Sequence, residues 1–400
     1  MIEKKEFQGY ASIIILSCFL HNFIILNLEN YWGLYQEYYI NNDIFKNSTI
    51  LEISLVGSLS KGLSFGFSLL VTPIISKFGY KKFLYSGVLL CSLGTFLSSY
   101  ATKVWHLYLT LGIMFGIGSS IIETIVASVP ILWFKENISL AMGIVYSGAG
   151  VGGLVINMLN KYIINILDIK WSFRIIAIIQ FSIGIISSYL IKKPNNLQNN
   201  NSVNINNKKH FNIKVIKKNC FLLWFFASII FSFVYMIPLT FIPSYSTFIN
   251  IDKTSSAIFI SVASGSSALG KIIIGLISDR YGIFNISIIC FLILSLSCLL
   301  IWTFSKTWES VFSFSFIFGL FSGVYFTIMG PITVIITNIS DFNSGIAIIL
   351  FGISIGTVLS TPISSLLLNN NSYLGLILYT GFLYVLITIC LIVLKIKVKS

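Results

Sequence analysis

Two short stretches decide the reading of this chain: SKFGYKK (76–82) and SDRYGIFN (278–285). Each sets an aromatic–Gly pair beside charged residues at the end of a long apolar run. Gly79 and Gly282 stand 203 residues apart. Gly148 and Gly152 match Gly352 and Gly356 at a spacing of 204, and each pair is a GxxxG, which lets helices approach closely in lipid. Gly112 and Gly116 have counterparts in Gly319 and Gly323. A common period of about half the chain implies an internal duplication.

Outward from these loops the chain is apolar. Of 400 residues, 56% are hydrophobic and 10% charged, and the mean hydropathy is +0.90. Soluble domains carry about 25% charged residues, so a water-soluble enzyme is excluded. Twelve apolar stretches are each long enough to cross roughly 30 Å of hydrocarbon. Their limits are 9–38, 50–74, 83–101, 107–131, 141–160, 172–191, 219–242, 255–277, 285–305, 310–336, 345–367 and 373–394. The expected fold is an all-α membrane protein with twelve transmembrane helices in two six-helix pseudo-repeats. Residues 1–191 form the first bundle and 219–400 the second. The polar, Asn-rich, basic segment 192–218 between them reads as a cytoplasmic linker.

With the N-terminus inside, the inner side holds 17 Lys and Arg residues and the outer side 7. That asymmetry places both termini in the cytoplasm. It also accounts for the net charge of +13 without nucleic acid. The Asn47-Ser48-Thr49 sequon then faces outward. The polar start MIEKKEFQGY does not read as a cleavable leader. The six cysteines fall in or beside apolar runs and have neither metal-site nor disulfide spacing. There is no P-loop, no HExxH and no CxxC, so no enzyme activity, metal or cofactor is expected.

Parallel repeats of six spans are the layout of the major facilitator superfamily, and the sequence resembles it. More narrowly it resembles the fungal monocarboxylate-porter-like (monocarboxylate permease homologue) family. The stretches that carry the resemblance are ENYWGLYQEYY (29–39), ISLVGSLS (53–60), VPILWFKENISLAMGIVYSGAGVGG (129–153), KWSFRI (170–175) and LGKIIIGLISDRYGIFN (269–285). Two features depart from it: Ser76 stands where the superfamily places Asp, and the basic cluster after Trp133-Phe134 is reduced to Lys135. The resemblance implies alternating access by a secondary transporter in the plasma membrane, or alternatively the vacuolar membrane. The implied partners are a small organic anion such as a monocarboxylate, a proton and the lipid bilayer, with the monomer as the working unit. Relatives imply two alternatives, a facilitator for riboflavin or another larger solute and a non-transporting nutrient receptor. The short tail KIKVKS argues against the receptor.

Ionisable residues inside spans are costly, about 2.5–3.5 kcal/mol each on insertion scales, and mark candidate sites. They are Glu29 and His21 in span 1, Lys61 in span 2, Glu123 in span 4 and Lys271 in span 8. Glu29 and Lys61 lie at similar depth and are expected to pair, either as a self-neutralising structural pair or as a site that proton or substrate opens. Lys271, where the resemblance places a basic residue, suits an anionic cargo; the competing reading is a lysine reaching toward the inner interface. Glu123 and His21 are candidates for proton coupling or for buried hydrogen bonding. Tyr31, Trp32 and Tyr35 line a substrate path or form an interfacial belt. Pro238 and Pro243 in span 7, with Pro331 and Pro362 later, are expected to kink their helices. By analogy with the superfamily, Asp279, Arg280, Gly282, Gly79 and Lys81 are assigned to gating.

Overall fold

The computed structural model describes residues 6–25, 28–45, 48–192, 211–368 and 372–399. Every element among them is a helix. This is what hydrocarbon demands, because a helix closes its backbone hydrogen bonds within itself. Most of the linker, Asn47 of the sequon and the side chains of Glu29 and Tyr31 lie outside the described residues.

Helices occupy all twelve expected positions, and most run a few residues past the expected limits. Among the described residues nine helices, or ten with one bent pair, are long and apolar enough to cross a membrane by that measure alone. Span 1 departs from the single helix expected over 9–38. It is Tyr10–Ile24 followed by Leu28–Asn41. The carbonyl that the break frees at Ile24 accepts a hydrogen bond from the Gln180 side chain of span 6 (3.4 Å). Asn22, two residues earlier, donates to the Val145 carbonyl of span 5 (3.1 Å) and ties the two spans together. The Gln180 side chain thus supplies the donor that the broken helix lacks at Ile24. Span 2 is Ile50–Gly66 and Ser68–Phe78, bent by 43°. Its start is fixed by a capping box in which Thr49 and Glu52 satisfy each other's backbone N–H.

Span 3 is Tyr80–Ser98, span 4 Val104–Trp133, span 5 Ile138–Ile166 and span 6 Ile169–Leu190. In the second half, span 7 is Asn219–Phe248, span 8 Lys253–Tyr281, span 9 Ile283–Trp302, span 10 Trp308–Thr337, span 11 Phe342–Leu366 and span 12 Leu374–Lys399. Pro238 and Pro243 sit inside a helix that continues through both.

The duplicated glycines have one backbone task. Gly79 ends span 2 at φ 88° and Gly282 ends span 8 at φ 96°. Side-chain-bearing residues rarely adopt that conformation, so each glycine turns the chain from one span straight into the next.

The halves meet along two seams. Spans 5 and 8 touch through their backbones: a Cβ on Gly275 would lie 2.6 Å from the Ser139 carbonyl, and one on Gly150 would lie 2.7 Å from the Ser264 carbonyl. Spans 2 and 11 are joined by Ser68 Oγ donating to the Ala347 carbonyl (2.9 Å) and Ser354 Oγ donating to the Gly62 carbonyl (2.7 Å).

Candidate transport site

Between the halves lies a cavity of about 400 Å³. Its walls come from the outer parts of spans 1, 2, 5, 7 and 8, and Lys271 and Thr357 lie toward its floor. A smaller space of about 50 Å³ continues inward among Phe65, Tyr146, Phe231, Phe326 and Lys271. With the termini in the cytoplasm, the cavity opens outward and the inner side is shut.

One contact dominates the shut side. Asp279, in the last turn of span 8, accepts from the N–H groups of Ser139 (3.0 Å) and Leu140 (2.8 Å) in the first turn of span 5. A carboxylate on a helix N-terminus is favourable for both hydrogen bonding and the helix dipole. Glu6 braces the preceding loop, accepting from the backbone N–H of Lys135, Glu136 and Asn137 and from the Asn137 side chain. Burial opposes its ionisation, but those four donors outweigh it and hold its carboxyl below the usual range. Among the described residues the other seam lacks the equivalent clasp. The Ser76 hydroxyl turns back to the Pro73 carbonyl (2.7 Å), and a cavity of about 120 Å³ lies between it and Asn343 of span 11. The first turn of span 11 is held instead from the linker side, where Asn212 bonds Ser344 and Asp341. Arg280 lies over the ring of Tyr281, and Lys81 over that of Tyr189 in span 6.

Lys271 is 4% exposed. Its ammonium donates to the Tyr146 carbonyl of span 5 (3.1 Å) and lies 5.8 Å from the Phe326 ring of span 10. Gly323 of span 10 makes room for the lysine stem, since a Cβ there would meet it at 2.5–3.1 Å. Glu123 is 2% exposed and accepts from the Tyr146 hydroxyl (2.6 Å). It lies close enough to act electrostatically on Lys271 and on Cys18. Tyr146 thus touches both charges, one through its side chain and one through its backbone. Sequence reading missed it, because the Glu123–Tyr146 pairing joins two helices with no local signature.

The remaining candidates separate. Lys61 lines the cavity, its ammonium 3.8 Å from the Met236 sulfur. His21 does not reach the cavity; it is buried against Ser187 (3.1 Å) and Ser188 (3.3 Å) of span 6. Trp32 and Tyr35 are buried, which corrects the interfacial-belt reading for both. The Tyr35 hydroxyl contacts Asn160 and Ser172, and Tyr38 donates to Asp168. These bonds hold the second helix of span 1 so that Trp32 faces the cavity. Gly57 of span 2 accommodates the indole, since a Cβ there would come within 2.9 Å of its Cγ and Nε1. Ser264, Ser267 and Lys271 form a polar stripe at i, i+3 and i+7 along one face of span 8, a signal that the sequence did carry.

A profile described as Major Facilitator Superfamily matches residues 13–286 and 249–400. The chain belongs to this superfamily. Its members are carriers rather than enzymes, and the protein is a multi-pass membrane transporter. It is 25% identical over 400 residues to an agnestins efflux protein of Paecilomyces divaricatus, covering 99% of this chain and 90% of that one. It is 23% identical over 394 residues to a protein named "Probable transporter MCH2" of Saccharomyces cerevisiae, covering 96% and 81%. Among solved structures, the superfamily transporter FucP in its outward conformation superposes with a TM-score of 0.72 at 14% identity, covering 96% of this chain and 98% of that one. The human organic anion transporter MFSD10 gives 0.70 at 10% identity, covering 98% and 100%. At these identities the likeness is one of fold.

Proposed function

We propose that the protein carries a small organic anion, in the simplest case a monocarboxylate, together with a proton, by alternating access across the plasma membrane. Residues 1–191 and 219–400 act as the two rocking bundles. The observation that carries the reading is Lys271: an ammonium at the floor of a cavity shared by both halves, set against a carbonyl and an aromatic face. Among the described residues no carboxylate lines the main cavity. An anionic cargo would supply the charge that Lys271 lacks there.

Glu123 is the proton site in this reading. Ionised, it competes for Lys271 from behind Tyr146. Protonated, it releases the lysine to the cargo. Proton and anion then bind with positive cooperativity, each raising affinity for the other by the same factor. The efflux name of one fungal relative supports an organic cargo, with net direction set by the gradients.

The test is uptake into proteoliposomes under an inward proton gradient, with labelled lactate, benzoate and riboflavin in parallel. Acid accumulation that collapses with a protonophore is expected. Riboflavin uptake indifferent to the gradient, with neither acid accumulated, would overturn the anion reading.

A further inference from the structure

Where the two halves touch, glycines make room for the contact. Along spans 5 and 8, a Cβ on Gly143 would collide with the Lys271 carbonyl. Those on Gly150 and Gly275 would lie 2.7 Å and 2.6 Å from the Ser264 and Ser139 carbonyls. Along spans 2 and 11, a Cβ on Gly62 would lie 2.7 Å from the Val358 side chain, and one on Gly66 2.7 Å from the Ser354 hydroxyl. Small residues at such contacts let helices approach closely in lipid.

Gly33 has no such contact. It lies inside the second helix of span 1, Leu28–Asn41, on the wall of the main cavity and with no positive φ. Among the described residues, a Cβ there would meet nothing within 4 Å beyond its own helix. Glycine inside a helix is destabilising relative to alanine. Nothing among the described residues requires it while the cavity is open.

The duplication says what closes on it. The seams 5/8 and 2/11 exchange with each other, because span 5 repeats as span 11 and span 2 as span 8. The same operation pairs span 1 with span 7. Shifted by 204 residues, Trp32 and Gln36 fall on Met236 and Thr240 of span 7, and all four line the cavity. Span 7 contains no glycine, so the room for a close approach comes from Gly33.

We propose that Gly33 is the seat of the outer gate: when the cavity closes, the face of span 7 bearing Met236 and Thr240 packs onto the bare backbone at Gly33. Spans 5 and 8 already pack in this way through Gly150 and Gly275. The proposal rests on the alternating-access reading above and not on the identity of the cargo.

The test reads inner opening without cargo. Ser68 is fully buried where span 2 meets span 11. In inside-out vesicles an impermeant maleimide therefore reaches Ser68→Cys only after the inner side opens, which requires the outer side to shut. Labelling is read on the peptide that carries position 68, by mass spectrometry. Gly33→Ala is expected to slow it about fivefold and Gly33→Leu up to about 150-fold, the range for overpacking a close contact. Gly33→Ala should leave the melting temperature unchanged or raised. Oxidant should join Gln36→Cys to Thr240→Cys with Gly33 in place and not in Gly33→Leu. Labelling at the same rate in both Gly33 variants as with glycine overturns the proposal and leaves alternating access standing. A melting temperature lowered by Gly33→Ala also overturns it, since the position would then be crowded with the cavity open. Failure to join the two cysteines, or joining in both backgrounds, overturns the pairing with span 7. No labelling of Ser68→Cys even with Gly33 in place overturns alternating access and the proposal together.

Discussion

Replacing Asp279 with Asn is expected to tip the carrier away from its outward-facing state. Each Asp279 oxygen takes one N–H of span 5, at 3.0 Å and 2.8 Å. Inward opening must part spans 5 and 8, so these bonds exist only while the inner side is shut. The Asp279→Asn side chain would keep one acceptor, lose the charge and turn its amide NH₂ toward the second N–H. A hydrogen bond to a charged group contributes about 1.5–3 kcal/mol. The carboxylate is half-buried, so the lower part of that range applies, about 1.5–2 kcal/mol, which is about 10- to 30-fold in the equilibrium. Among the described residues the opposite seam offers no duplicate clasp, because Ser76 bonds within its own helix. Ser68→Cys provides a reporter: the position is fully buried at that opposite seam, away from Asp279. In inside-out vesicles its reaction with an impermeant maleimide requires the inner side to open. The labelling rate should rise about 10- to 30-fold in the Asp279→Asn background. An unchanged rate would refute the clasp.

Gly323→Ala should crowd the Lys271 stem, which already fills the space a Cβ would take; anion affinity should fall about tenfold by calorimetry, with the fold intact. Gly282→Ala forces a side chain into φ 96° and should cost about 1–3 kcal/mol, seen as a lowered melting temperature. The Glu6 carboxyl is held below its usual value of 4.5, so its bracing contribution is fully present above that value and is lost as pH falls through the lower folded one. Hydrogen exchange at Lys135, Glu136 and Asn137 should therefore show unchanged protection between about pH 5 and 8, while Glu6→Gln lowers protection throughout.

The twelve spans were legible because hydropathy and span length are set by the bilayer. The duplication was legible because Gly79 and Gly282 meet the same backbone demand in each half. Lys271 stood out as the basic residue of an apolar helix, and it does lie on the cavity floor. The break in span 1 was not legible. Neither proline nor glycine marks residues 25–27, where the helix breaks, and Gln180, which satisfies the freed carbonyl, lies 156 residues away. Tyr146 and Glu6 were missed for the same reason, since each acts through tertiary contacts that no local spacing encodes. His21 was a fair candidate by residue type, yet it faces the serines of span 6. Which side of a uniformly apolar helix faces the interior is decided by packing.

The most direct test of the central claim is exchange of labelled benzoate across proteoliposomes containing wild-type protein or Lys271→Ala, at equal anion concentration on both sides and with no gradient. Rapid exchange by the wild type and its loss in Lys271→Ala is the expected result. Exchange at the wild-type rate in Lys271→Ala would show that the ammonium on the cavity floor does not hold the cargo.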